Sequence, residues 1–331
     1  MLRHVVRRVL IGAGLVLSVV TITFLLINLA PGDPARLWAG PAAGEAELAA
    51  ARRALGLDQP LLTRYVSWLW NFMRGDWGMS LARQRPVAEL IADALPHTLL
   101  LTGLSLLATY VGGIALGLIQ AARNRTALDT GITVGSLFVL GMPSYWLATM
   151  LVLVFAYAAA HEGWPAWLQL PALGVAALDA QYLSPVGRLV DRFRHLVLPL
   201  TTLGLLGIAG TARFVRAAAL DVGHLPFIRT ARAKGLSAPV IARRHVLRNA
   251  LIPVITLLGL SLPMLFSGTV FVEVIFAWPG MGREMVSAVG ARDYPVALAT
   301  TAIYGALVVL GNLAADLLYA VADPRLKDGR S

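Results

Sequence analysis

"RTARAKGLSAPVIARRHVLRN" occupies residues 229–249, and its reading decides how the rest of the chain is read. It carries Arg229, Arg232, Lys234, Arg243, Arg244 and Arg248 and no acidic residue. It lies between two long apolar runs, in a chain that is 57% hydrophobic, 14% charged and has a mean hydropathy of +0.70. Soluble domains carry roughly a quarter charged residues. A basic island in such a chain has two elementary readings. It is a patch for nucleic acid, or it is a loop between membrane spans held on the cytoplasmic side.

The flanking hydropathy separates the two. Six apolar runs, at about 9–30, 98–121, 132–156, 196–212, 251–272 and 297–319, approach the ~20 residues that a spanning helix needs, the fourth being the shortest. The chain is therefore predicted to be an all-α, polytopic integral membrane protein with about six transmembrane helices. The first run follows Arg3, Arg7 and Arg8. It is longer than the apolar stretch of a signal peptide, and "APGDPA" after it reads as a turn, so it is a retained first helix.

Charge orients the set. With the N-terminus in the cytoplasm, sixteen of the 28 Lys and Arg residues fall inside, against five of the 18 acids. The outer regions then hold 12 basic and 13 acidic residues. Both termini are placed in the cytoplasm by the positive-inside rule. The net charge of +10 is thus a topology signal, and nucleic acid is excluded as a partner.

No catalytic or cofactor chemistry emerges. Cysteine is absent and the six histidines are scattered, so no metal set is read. No GxxxxGK[ST] loop is present to cradle ATP. No nucleophile–base pair suggests an intramembrane enzyme. An ion-coupled transporter is disfavoured by the lack of an inverted repeat and the scarcity of charge in the spans.

The outer segments carry their own patterns. "GEAELAAARRALG" is predicted to be a helix ending at Gly56. A second stretch starts after Pro60 and carries Trp68, Trp70 and Trp77, which suit a helix at the membrane interface either as an anchor or as a platform for an outer partner. A second outer region, 157–195, holds Trp164 and Trp167.

The cytoplasmic loop, 213–250, reads as helix, glycine break, helix. Pro226 stands near a helix start and Gly235 near its end. Phe227, Ile228, Ala231 and Leu236 are expected to share a face, with Arg229, Arg232 and Lys234 around the rest. Ser237 is a good N-cap, Pro239 follows it, and Pro253 marks entry into the fifth span. On these residues alone the loop either obeys topology and meets anionic lipid headgroups, or presents a short helix to another protein's groove.

Inside the spans, Gly113 and Gly117, with Gly112 beside them, predict close helix packing. Pro143, Pro199 and Pro263 predict kinks. Ser144, Ser261, Ser267, Thr269 and Glu273 are candidates to line a polar pathway, with hydroxyl-to-backbone bonding as the alternative for the first four. Asp316, near the inner end of the last span, is an intramembrane acid with a structural or functional role.

Several motifs, in order along nearly the whole chain, carry a resemblance. They are "LINLAPGDPA", "LGLDQPLLTRYVSWLWNFMRGDWGMSL", "LPHTLLLT", "GMPSYWLATML", "FIRTARAKGLS…HVLRNALIPV", "FVEVIFAWPGMG", "ARDYP" and "DLLYAVADPRL". The chain resembles the first permease subunit of the oligopeptide/dipeptide/nickel group of binding-protein-dependent ABC importers. The resemblance implies the type I ABC importer permease fold, with residues 1–97 forming a first helix and outer loop and 98–331 a five-helix core. It implies that Phe227, Arg229, Thr230, Ala231, Arg232, Ala233 and Gly235 couple the chain to a cytoplasmic ATPase. It also implies a second homologous permease, two ATPase subunits and an extracytoplasmic solute-binding protein as partners, besides membrane lipid. The broader motif begins Glu-Ala-Ala where this chain has Arg229, Thr230 and Ala231. Pro226 stands where the group usually has an acid.

Overall fold

The computed structural model describes residues 2–29, 34–40, 42–54 and 56–322. They form helices, with no strand among the described residues beyond one isolated bridge between Met79 and Pro86. In chain order the helices are α1 (Leu2–Leu29), α2 (Pro34–Ala39), α3 (Glu45–Ala54), α4 (Leu61–Met73), α5 (Val87–Ala122), α6 (Ala127–Leu140) and α7 (Ser144–Val152). After a π turn at Leu153–Ala158 come α8 (Ala159–His161), α9 (Pro185–Gly223), α10 (Pro226–Ala233) and α11 (Ala238–Ile241). A second π turn, Ala242–Val246, leads into α12 (Leu247–Ile275), α13 (Met281–Ala291) and α14 (Tyr294–Ala322).

Among the described residues, Val6–Leu29, Val87–Ala122, Ser144–His161, Pro185–Gly223 and Tyr294–Ala315 are long and apolar enough to cross a membrane. The 29-residue α12 covers the fifth predicted run. The outer helices form as predicted. Gly56, at φ +65°, ends α3 as the Leu57 amide donates to the Arg52 carbonyl, and Pro60 precedes α4.

Two predicted spans need correction. The third, 132–156, is predicted as one run. It is instead α6, a break at Gly141–Pro143, and α7 continuing through the π turn into α8. Pro143 has no amide to donate and restricts Met142, so α6 stops at Leu140. The fourth span was read as the shortest, 196–212. It lies within α9, which at 39 residues is the longest helix described. Its polar ends, with Arg188, Asp191 and Arg192 at one and Arg213, Arg216 and Asp221 at the other, hid its length from hydropathy. At 1.5 Å per residue α9 measures about 58 Å, well beyond the hydrocarbon thickness. Residues 213–223 of the predicted cytoplasmic loop therefore continue a span.

The chain divides into two compact units. Of the described residues, one comprises Leu99–Trp278 with 310–322, and the other Leu2–Thr98 with Pro279–Val309. The first is centred on Leu101, Ala148, Leu198, Leu203, Val272, Phe276 and Trp278, from α5, α7, α9, α12 and the turn after it. Lipid tails are as apolar as leucine, so close fit holds these helices together. A Cβ added at Gly113 of α5 would lie 2.5 Å from the Thr211 Cβ of α9, and one at Gly117 2.5 Å from the Ala212 carbonyl oxygen. The close packing expected of these glycines is what the structure shows. A backbone oxygen cannot rotate away, so Gly117→Leu should destabilise the chain by about 1–3 kcal/mol, read as a lowered thermal midpoint in detergent.

In the second unit, Phe24 of α1 packs on Tyr65 and Trp68 of α4, at 5.2 and 6.1 Å between ring centres. The aromatic series continues from Trp68 through Phe72 to Trp77. Between α13 and α14, the buried Asp293 accepts hydrogen bonds from the Ser80 hydroxyl (2.5 Å) and the Leu81 and Ala82 amides (3.1 Å each). Arg83 adds an ion pair to Glu284 at 2.9 Å. This knot secures the loop before α5 to the α13–α14 turn. Asp293→Ala would strand three donors, and its expected cost is about 3 kcal/mol, measurable in the same melts.

Candidate coupling site

α10 is short because of what stands at each end. Pro226 at its first position needs no hydrogen-bond partner for a missing N–H. At the other end the Gly235 amide donates to the Arg232 carbonyl (3.0 Å) and the Leu236 amide to the Ala231 carbonyl (3.3 Å). These are the two bonds of a Schellman ending, and Gly235 takes the positive φ, +77°, that the ending requires. The chain then reverses into α11.

The helix is braced from one side. Ile228 and Ala231 are buried against Ile241 of α11, with Val222 of α9 and Val246 packed around them. Phe227, Arg229, Thr230, Arg232, Ala233 and Gly235 are exposed. The expected common face is half present: Ile228 and Ala231 share it, but Phe227 and Leu236 do not, being 40% and 39% exposed. Phe227 and Ile228 stand about 100° apart on the helix, and it is Ile228 that faces Ile241, Val222 and Val246, which leaves Phe227 at the edge. Neither Arg229 nor Arg232 makes an ion pair among the described residues.

Below α10 lies a polar cluster that sequence reasoning missed. Arg216, seven residues before the end of α9, forks onto Asp129 of α6. Its Nε donates to Oδ1 and its Nη2 to Oδ2, each at 2.7 Å. Nη2 also donates to Asn124 Oδ1 at 3.1 Å. The Arg125 amide donates to Asp129 Oδ2 at 2.9 Å, and Thr126 caps α6 by accepting from the Asp129 amide. Bidentate Arg–carboxylate pairing is the geometry that fixes orientation as well as attraction. Asp129 lies in the first turn of α6, where the Arg216 guanidinium and then the Arg125 amide hold its carboxyl down at about 2. The end of α9, which leads through His224 and Leu225 directly into α10, is thereby latched to the α5–α6 turn. The only sequence signal was a lone acid after a capping threonine, in a loop otherwise basic.

The other candidates are dispersed. Ser144 is half-buried in the first turn of α7. The Ser261 hydroxyl donates to the Leu257 carbonyl and accepts from Tyr110 of α5, both at 2.8 Å. Thr269 and Glu273, one turn apart on α12, are wholly enclosed by their own chain. The side chains of Pro263, Ser267 and Asp316 lie outside the described residues.

A bundle of long apolar helices with a braced, exposed helix between two of them defines a class, a polytopic integral membrane protein, and the family it matches is a transport permease. The chain belongs to the family described as the binding-protein-dependent transport system inner membrane component. Residues 113–328 match that family's profile, and residues 1–102 match the profile of its N-terminal part. It is 38% identical over 328 residues to the oligopeptide transport system permease protein AppB of Bacillus subtilis (strain 168), covering 99% of this chain and 100% of that one. It is 37% identical over 328 residues to the glutathione transport system permease protein GsiC of Escherichia coli (strain K12), covering 99% of each.

Proposed function

We propose that the chain is one half of the translocation pathway of an ABC importer for peptides, completed by a second homologous permease, two cytoplasmic ATPase subunits and an outer solute-binding protein. The observation that carries this reading is α10: a rigid helix on the basic side, with its apolar residues Ile228 and Ala231 spent on bracing and Phe227, Arg229, Thr230, Arg232 and Ala233 exposed. Such a helix suits the groove of a partner. The sequence has no GxxxxGK[ST] loop, so the energy comes from the partner. Closure of the ATPases would move α10 and, through it, α9 as a rigid body. The peptide assignment is supported by the relatives, one named for oligopeptides and one for glutathione, itself a tripeptide.

The test is reconstitution of the chain with its partner subunits in proteoliposomes. ATP-dependent accumulation of labelled di- or tripeptides is expected when the solute-binding protein is supplied. Failure of every peptide, with uptake of an unrelated solute retained by the same binding protein, would overturn the substrate assignment.

A further inference from the structure

A pocket lies in the outer part of the chain, entirely within the unit that holds α1 and α4. Its volume is about 400 Å³, and its wall includes Phe24 and Asn28 of α1, Arg64 and Trp68 of α4, and Tyr294 and Leu298 of α14. Arg64 is half-buried there, and its Nη2 donates to Asn28 Oδ1 at 2.6 Å. Asn28 in turn donates its own amide to the Phe24 carbonyl. A guanidinium has five N–H donors. Arg64 has no carboxylate partner among the described residues, so most of its donors and its charge are left without a protein counterpart. Burial lowers the Arg64 pKa from its ordinary value, opposed in part by the Tyr294 side chain beside it. The pocket thus combines one uncompensated cation with aromatic and aliphatic walls. It suits a ligand with an anionic head and an apolar tail.

The opposite edge of α4 says where such a ligand comes from. Leu62, Val66, Trp70 and Met73, spaced as one helical stripe, are all more than half exposed. At the outer end of α1, Leu25, Leu26 and Leu29 are exposed as well. An amphipathic helix with one apolar edge uncovered lies in the membrane interface. Arg74 sits over the Trp70 ring at 4.4 Å, so a second cation occupies the same boundary. The mouth of the pocket is therefore at headgroup level, beside hydrocarbon. Free phosphate or a soluble organic anion shares the head chemistry but has no tail to place against Phe24, Trp68 and Leu298.

We infer that this pocket is a phospholipid site of the outer leaflet, in which Arg64, oriented by Asn28, holds the headgroup phosphate and the aromatic wall takes the start of an acyl chain. Native mass spectrometry of the full chain, extracted in mild detergent and titrated with phosphatidylglycerol, tests it without depending on transport. The wild type is expected to hold one lipid about tenfold more tightly than Arg64→Leu, a difference of about 1.4 kcal/mol. Trp68→Ala, which keeps the cation and removes the wall, should weaken lipid binding as well and keeps the test open if Arg64→Leu does not fold. Excess inorganic phosphate should displace little lipid. Equal retention by wild type and a folded Arg64→Leu variant would overturn the site. So would displacement by phosphate at equal affinity, which would make it a site for a soluble anion.

Discussion

Replacing Gly235 with proline is expected to abolish ATP-dependent uptake while the chain still inserts in the membrane at its normal level. Gly235 holds φ +77° and donates the amide that closes α10 onto Arg232. Proline is confined near φ −65° and has no amide, so the ending of the helix cannot form. The hydrophobic spans that drive insertion are untouched. Arg229→Glu should have a comparable effect by another route. Arg229 is exposed and makes no ion pair among the described residues, so its reversal leaves α10 folded and alters what docks there. Central residues of an interface cost 2 kcal/mol or more when lost, which makes a fall of roughly thirtyfold the expected scale. Uptake assayed in vesicles, normalised to inserted protein, measures it. Normal uptake in both variants would contradict a coupling role for α10.

The second large effect is expected at the latch. Asp129→Ala removes the carboxylate that both forks of Arg216 use, and it leaves the Arg125 amide without its acceptor. α10 would stay folded, since Ile228, Ala231 and Ile241 are unaffected, but the end of α9 would no longer be held to the α5–α6 turn. The predicted result is uncoupling: ATP hydrolysis persists while uptake falls on the order of tenfold, the scale of coupling changes along a contiguous network. Exchanging the pair, Asp129→Arg with Arg216→Asp, should restore part of the loss. The pair also makes a pH prediction. The Asp129 carboxyl titrates near 2 in the folded chain, below the unfolded range near 4. A depressed pKa gives a contribution that is complete above the unfolded value and disappears as pH falls through the folded one. The stability gap between wild type and Asp129→Asn should therefore be flat from pH 8 to 5 and shrink only below about 4.

How much of this was legible depended on which force spoke locally. The spans could be read because membrane insertion writes itself as uninterrupted apolar length. The same signal misled at α9, whose charged ends lie beyond the hydrocarbon, and at Gly141–Met142–Pro143, where an apolar run concealed a turn. Gly235 was legible because a positive φ restricts the choice of residue. The placing of Phe227 outward was not, since an eight-residue helix gives too few turns for periodicity to assign a face. Asp129 and Arg216 lie 87 residues apart, and nothing in either neighbourhood names the other. Nothing in the residues around Arg64 marks it out, because the surroundings of a side chain are visible only in three dimensions.

The central claim is that the exposed edge of α10 touches the ATPase. A photo-crosslinking amino acid at Phe227, which is exposed and outside the bracing cluster, tests this directly in membranes containing the full set of subunits. The account predicts a crosslink to the ATPase subunit, lost when Gly235→Pro is combined with it. A crosslinker at Phe227 that labels only lipid or the permease itself, in an assembly that still transports, would contradict it.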